Sequence, residues 1–206
     1  MFSTQGCWTV AAFAALAAVA SAQFTPVNQP MHPANGKISP KLGDAGYAMC
    51  FGDGSGSMCP ARNVGKRGRG CENSLGMGGG LMSGGGVASV SQDSIALDAQ
   101  YLPRKSTALF LQGTGCRNQG LGLPFGDGLM CLGGSVIRLG AVRVDGGAAM
   151  FPPRADPAST VSVSMAGRIP PRGGERFYQV MYRDENPYGP RAHFNLTNAW
   201  SMTWVP

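Results

Sequence analysis

The residues best suited to chemistry stand late in the chain. Asp184 and Glu185 are adjacent acids that follow Arg183, and His193 lies a short loop further on, just before an apolar run. Two carboxylates about 5–10 Å apart across a cleft can hydrolyse a glycosidic bond. A histidine beside an acid can act as a general base. Asp184, Glu185 and His193 are therefore the residues of a hydrolase, if the chain is one. The plainer reading is a loop salt-bridge cluster with Arg183 and a histidine on polar surface, and it is preferred here. No serine sits between two glycines in the manner of a nucleophile elbow. The glycine run 76–86 does not fit Gly-x-Gly-x-x-Gly and lacks a flanking strand and helix, so it reads as a turned or flexible loop. The expectation is a chain with no catalytic residue and no cofactor.

Binding chemistry is concentrated earlier. Arg62, Lys66, Arg67 and Arg69 crowd a short loop between Cys59 and Cys71. In a cytosolic protein such a loop suggests nucleic acid; in an exported one, an anionic polysaccharide or envelope component fits better. These four residues are the candidate binding patch. Exposed charges are screened beyond ~8 Å at physiological salt, so any such contact is expected to be weak. A solvated loop that keeps the protein soluble is the plainer reading.

Metal chemistry is not expected. Phe51-Gly52-Asp53-Gly54 recurs as Phe125-Gly126-Asp127-Gly128, and Asp53, Ser55 and Asp127 offer oxygens, but the ligand run of an EF-hand is missing. Asp-Gly is a favoured hairpin turn pair, so both copies read as turns. There is no Cys-x-x-Cys, and His32 and His193 lie far from any cysteine cluster, which argues against structural zinc. Asn195-Leu196-Thr197 matches a glycosylation sequon but reads as strand residues.

These groups need a scaffold, and composition narrows it. Residues 1–22 end in Ala20-Ser21-Ala22 after a short apolar run, as a secretory signal peptide does. The run is too short for a bilayer span of ~20 residues, so no membrane span is expected after cleavage. The remaining 184 residues suit one domain. Glycine makes up about 17% of them and charged residues about 15%, against usual values of ~7% and ~25%. That excludes a coiled coil, a helical bundle and a multi-span membrane protein. Residues 23–49 read as a Pro-rich linker or extended segment, and 50–206 as a single Cys- and Gly-rich domain. In 50–86 there is little apolar surface, so cross-links and turns must supply the order.

From Val87 onward, short strands alternate with turns. The predicted strands are Val87–Ser91, Ser94–Ala99, Ala108–Gln112, Ser135–Val144, Ser159–Met165, Arg176–Arg183 and Phe194–Val205. The last would place Phe194, Leu196, Asn198, Trp200, Met202 and Trp204 on one face. The fold expected is an antiparallel β-sandwich, jelly-roll-like or Ig-like, preceded by the disulfide- and Gly-rich segment.

Several motifs form a combined pattern: Cys50–Ser55 (Cys-Phe-Gly-Asp-Gly-Ser), Cys59-Pro60, Gly68–Cys71, Asn73-Ser74, Ala108–Gly113, Phe125–Leu129 and Cys131–Gly134. Arg138-Leu139, Arg176–Asp184 and Phe194–Asn198 (Phe-Asn-Leu-Thr-Asn) continue it. The pattern resembles a module of secreted planctomycete-type bacterial proteins. The resemblance implies an extracellular bacterial protein and carries no established activity. The family reads Cys-Pro-Cys where this chain has Cys59-Pro60-Ala61, and has a further cysteine near the position of Gly189. By that resemblance, the chain keeps either Cys59–Cys71 with Cys50 free or Cys50–Cys59 with Cys71 free, and the first is preferred. Cys131 has lost its family partner, so Cys116–Cys131 is expected as a replacement, contributing about 3 kcal/mol. The function expected is an exported, non-catalytic module that attaches to an extracellular or cell-surface partner. A carbohydrate-active hydrolase and a purely structural envelope component are the alternatives.

Overall fold

The computed structural model describes residues 45–153, 161–185 and 193–206. The expected leader 1–22 and most of the segment 23–49 lie outside the described residues. The strands are β1 (Tyr47–Met49), β2 (Leu81–Gly85), β3 (Ala96–Gln100), β4 (Thr107–Cys116) and β5 (Leu123–Phe125). They continue with β6 (Gly128–Met130), β7 (Leu132–Arg143), β8 (Ala149–Phe151), β9 (Gly174–Arg183) and β10 (Phe194–Trp204). A single helical turn, α1 (Val163–Ala166), precedes β9. The described chain is all-β, and its strands pair antiparallel.

A five-stranded sheet runs β1-β10-β9-β4-β7, a three-stranded sheet runs β2-β3-β8, and β5-β6 is a separate hairpin. The two larger sheets share one core. Met82, Leu97 and Phe151 from the smaller sheet meet Phe110, Tyr178, Tyr182 and Trp204 from the larger. Each such side chain contributes on the order of 1.5–3 kcal/mol by leaving water. Polar tips inside that core are paired: Trp204 Nε1 donates to the Tyr178 hydroxyl at 2.7 Å. In β9, Tyr178, Val180 and Tyr182 enter this core while Phe177 packs on the opposite face with Leu111 and Leu132. Large groups on both sides of β9 follow from its central position in the sheet.

Five details differ from the sequence reading. The expected single apolar face of β10 is broken. Leu196 pairs with Met181 and Ala199 with Gln179, so β10 carries one extra residue there. That bulge reverses the alternation: Leu196 shares Met181's face, whereas Trp200, Met202 and Trp204 turn into the main core. Asn198, inside the bulge, accepts from Met82 N at 2.8 Å and donates to Met82 O at 3.0 Å, joining the sheets.

The glycine run expected as a loop includes strand β2. Its small residues admit the indole of Trp200, whose Nε1 would lie 3.0 Å from a Cβ at Gly84. The described part of Ser159–Met165 leads into α1 rather than a strand, with Ser162 Oγ accepting from Met165 N at 3.3 Å as an N-cap. Val87–Ser91 forms only an isolated bridge between Ser89 and Val205. The second Phe-Gly-Asp-Gly copy does close a hairpin, but the turn residues are Gly126 and Asp127, and Gly126 supplies the positive φ of 59°.

Candidate functional site

The Cys59–Cys71 disulfide is present, with Cα atoms 5.9 Å apart. It closes the loop that carries Arg62, Lys66, Arg67 and Arg69. The loop's backbone is further fixed by Gly65 N to Gly52 O at 2.8 Å, Lys66 N to Gly78 O at 2.9 Å and Gly70 N to Gly80 O at 2.9 Å. Asp53 Oδ2 accepts from Gly68 N at 2.7 Å and its Oδ1 from Ser55 N at 3.0 Å. Asp53 thus serves as a tie between turns. Among the described residues no three of His, Cys, Asp and Glu are grouped so that they could hold a metal ion.

Arg62, Lys66 and Arg67 are exposed. Arg69 is engaged: its guanidinium carbon lies 3.6 Å from the Tyr101 ring centroid, and Nη1 donates to Met77 O at 3.1 Å. The stacking contributes about 0.5–2 kcal/mol and holds the loop against the body. Three cations of the four therefore face solvent unoccupied by this contact.

The other disulfide corrects the pairing expected for Cys131. Cys131 bonds Cys50, with Cα atoms 6.0 Å apart, and not Cys116. Cys50 is accordingly not free, and Cys116 is itself disulfide-bonded elsewhere. The physical reason is alternation along the β4–β7 pair. Cys116 lies opposite Leu132 and packs on its face, so Cys131, one residue earlier, points the other way. There it meets Cys50 and Ala199. Disulfides of this kind belong to proteins that fold in an oxidising compartment. Among the described residues no helix is long and apolar enough to cross a membrane.

Arg183, Asp184, Glu185 and His193 meet at one end of the five-stranded sheet, where β9 stops and β10 begins. Asp184 N donates to His193 O at 3.1 Å. With Lys105 and Ser74 these residues line a cleft of about 530 Å³. Asp184 is buried, and both its oxygens accept from Ser74 N at 3.2 Å. Burial pushes its carboxyl above the usual carboxylate range, against hydrogen bonds from Ser74 and Asn195 that favour the charged form. Glu185 and His193 are exposed. The arrangement can hold a proton on Asp184, but it also commits that acid to anchoring the Cys- and Gly-rich segment.

The sequon residues are unavailable for modification in the folded chain. Asn195 and Thr197 are buried in β10, and Asn195 Nδ2 donates to Glu72 O at 2.9 Å.

Sequence reasoning missed a second cleft, of about 340 Å³, that shares Lys105 and Arg183 with the first and adds Thr107, Ala141 and Arg143. No sequence signal marks it, because Arg143 and Arg183 come together only through strand register. No family model matches the chain, and no curated protein or solved structure matches it.

Proposed function

We propose that the chain is an exported, non-catalytic β-sandwich module of the secreted bacterial kind it resembles, which attaches to an anionic extracellular or cell-surface partner. The observation that carries this reading is the disulfide-closed loop that presents Arg62, Lys66 and Arg67 from a hydrogen-bonded backbone. A loop already held in place loses less conformational freedom on binding. Charge contacts on such a loop are individually weak and screened by salt. Retention on a heparin or acidic-polysaccharide column should therefore fall as salt rises. Changing Arg62, Lys66, Arg67 and Arg69 to Ser should lower the eluting salt concentration; equal retention would remove the loop as a contact.

The clustering of Asp184, Glu185 and His193 around one cleft favours a second reading, a carbohydrate-active hydrolase. Asp184 would then be the general acid, since burial keeps its carboxyl protonated to higher pH. Its anchoring bonds to Ser74 weigh for a structural role and place this reading second. A panel of chromogenic glycosides, esters and peptides separates the two.

A further inference from the structure

We infer that the exposed face of the large sheet at the β7–β4–β9 end is an oxyanion site, taking the sulfate or carboxylate groups of an acidic polysaccharide. The inference rests on the reading of the chain as an attachment module but not on the basic loop.

Thr107 lies opposite Arg143 in the β4–β7 pairing. Ala108 lies opposite Tyr182 in the β4–β9 pairing, which puts Arg183 beside Thr107 on its other side. Arg143, Thr107 and Arg183 therefore form one row across three strands on the same face. Directly opposed residues have Cβ atoms about 5 Å apart, so the two arginines flank a hydroxyl at about 10 Å from each other. Both side chains reach far enough to converge on one bound group above Thr107. All three residues are exposed, as is Lys105, two positions before Thr107.

The cleft these residues line contains Lys105, Arg143 and Arg183 and no carboxylate. Three like charges around one concavity repel one another, and a bound anion would relieve that repulsion. The planar fork of each guanidinium suits bidentate contact with a sulfate or carboxylate. The framework is fixed: Ser106 Oγ donates to Arg183 O at 2.6 Å, pinning the start of β4 to the end of β9. One row inward, Ala141 and Met181 lie on either side of Leu109. That apolar strip can lie under the carbon face of a sugar ring.

Charge alone would also attract nucleic acid. The lining holds no aromatic ring on which a base could stack, and the disulfides belong to an oxidising compartment. Both favour the polysaccharide. Asp184 and Glu185 belong to the adjoining cleft, so their charge directs an anionic chain toward Arg143.

The test is calorimetric titration of the full protein at low salt with a heparin-derived hexasaccharide, an oligogalacturonate and a DNA duplex of similar charge. The expected result is saturable binding of at least one oligosaccharide. It should weaken roughly tenfold or more in the variant Lys105→Gln, Arg143→Gln, Arg183→Gln, which removes three charge-assisted contacts. Each comparison is made in the background Arg62→Ser, Lys66→Ser, Arg67→Ser, so that the loop contributes nothing to the binding that is read. Thr107→Val, which keeps every charge, should weaken it a few-fold and guards against misfolding of the triple variant. Binding of the hexasaccharide alone identifies sulfate as the group taken, and binding of both identifies oxyanions in general. Undiminished binding by the sheet-face variant overturns the inference and leaves the attachment reading standing. So does tighter binding of DNA than of either oligosaccharide. Failure of the wild type to bind either oligosaccharide also overturns the inference, and the attachment reading is then judged by its own test, column retention of the wild type against the loop variant.

Discussion

Gln179 offers the sharpest test of how the domain is held together. It is fully buried in the middle of β9. Its Oε1 accepts from Cys131 N at 3.0 Å, and its Nε2 donates to Leu129 O and Thr197 O, each at 2.8 Å. One amide thereby fastens the end of the β5–β6 hairpin, the Cys50–Cys131 disulfide and the β10 bulge to the central strand. Gln179→Leu keeps the volume but leaves three backbone groups without that partner. Each buried group so stranded loses about 1–3 kcal/mol. Because the three share one side chain, their losses do not simply add. The expected destabilisation is about 3–5 kcal/mol, at the upper end of single substitutions. Urea unfolding with the disulfides intact measures it from the shift in midpoint at constant slope. A loss below about 1 kcal/mol would show that this hub is not what joins the three elements, and would refute the reasoning.

Three further outcomes follow from the same geometry. In the loop-entropy account, removing Cys50–Cys131, which spans 81 residues, should destabilise by about 4–5 kcal/mol. Removing Cys59–Cys71, which spans 12, should lose only about 3 kcal/mol; paired Cys→Ser variants under denaturant check the order, and the reverse order contradicts it. Asp184 has a folded pKa above its ordinary 3.8, so its contribution is present at low pH and is lost as pH rises through the folded value. Asp184→Asn should therefore gain stability relative to wild type across that acid window and level off above it; unfolding midpoints measured from about pH 3 to 7 follow this, and the opposite slope refutes it. Asn198→Leu removes both bonds to Met82 and should destabilise by about 2–4 kcal/mol in the same urea assay, while an unchanged midpoint would show that the sheets do not depend on this staple.

Much of the large sheet was legible because its strands carry their own signal. β4, β9 and β10 are runs of large apolar and β-branched residues between turn formers, and β7 follows the same logic. β2 gave no such signal: Leu-Met-Ser-Gly-Gly becomes a strand because Asn198 and Trp200 of a distant strand meet it. The phase of β10 was not legible, because a one-residue bulge between Leu196 and Ala199 is invisible to alternation. Cys116 and Cys131 looked like neighbours along the chain, but the face each occupies depends on the β4–β7 register. The basic loop was legible from charge and cysteine spacing, although the commitment of Arg69 to Tyr101 was not. The Arg143–Thr107–Arg183 row was beyond sequence reading altogether, since its members come from three strands.

The central claim is that the chain attaches and does not catalyse, and one measurement bears on it most directly. Purified protein is incubated with the chromogenic glycosides, esters and peptides, alongside Asp184→Asn and His193→Ala. The account predicts that wild type and both variants give the same background rate on every substrate. Turnover by the wild type that disappears in either variant would contradict it, and would make the cleft of Asp184, Glu185 and His193 an active site.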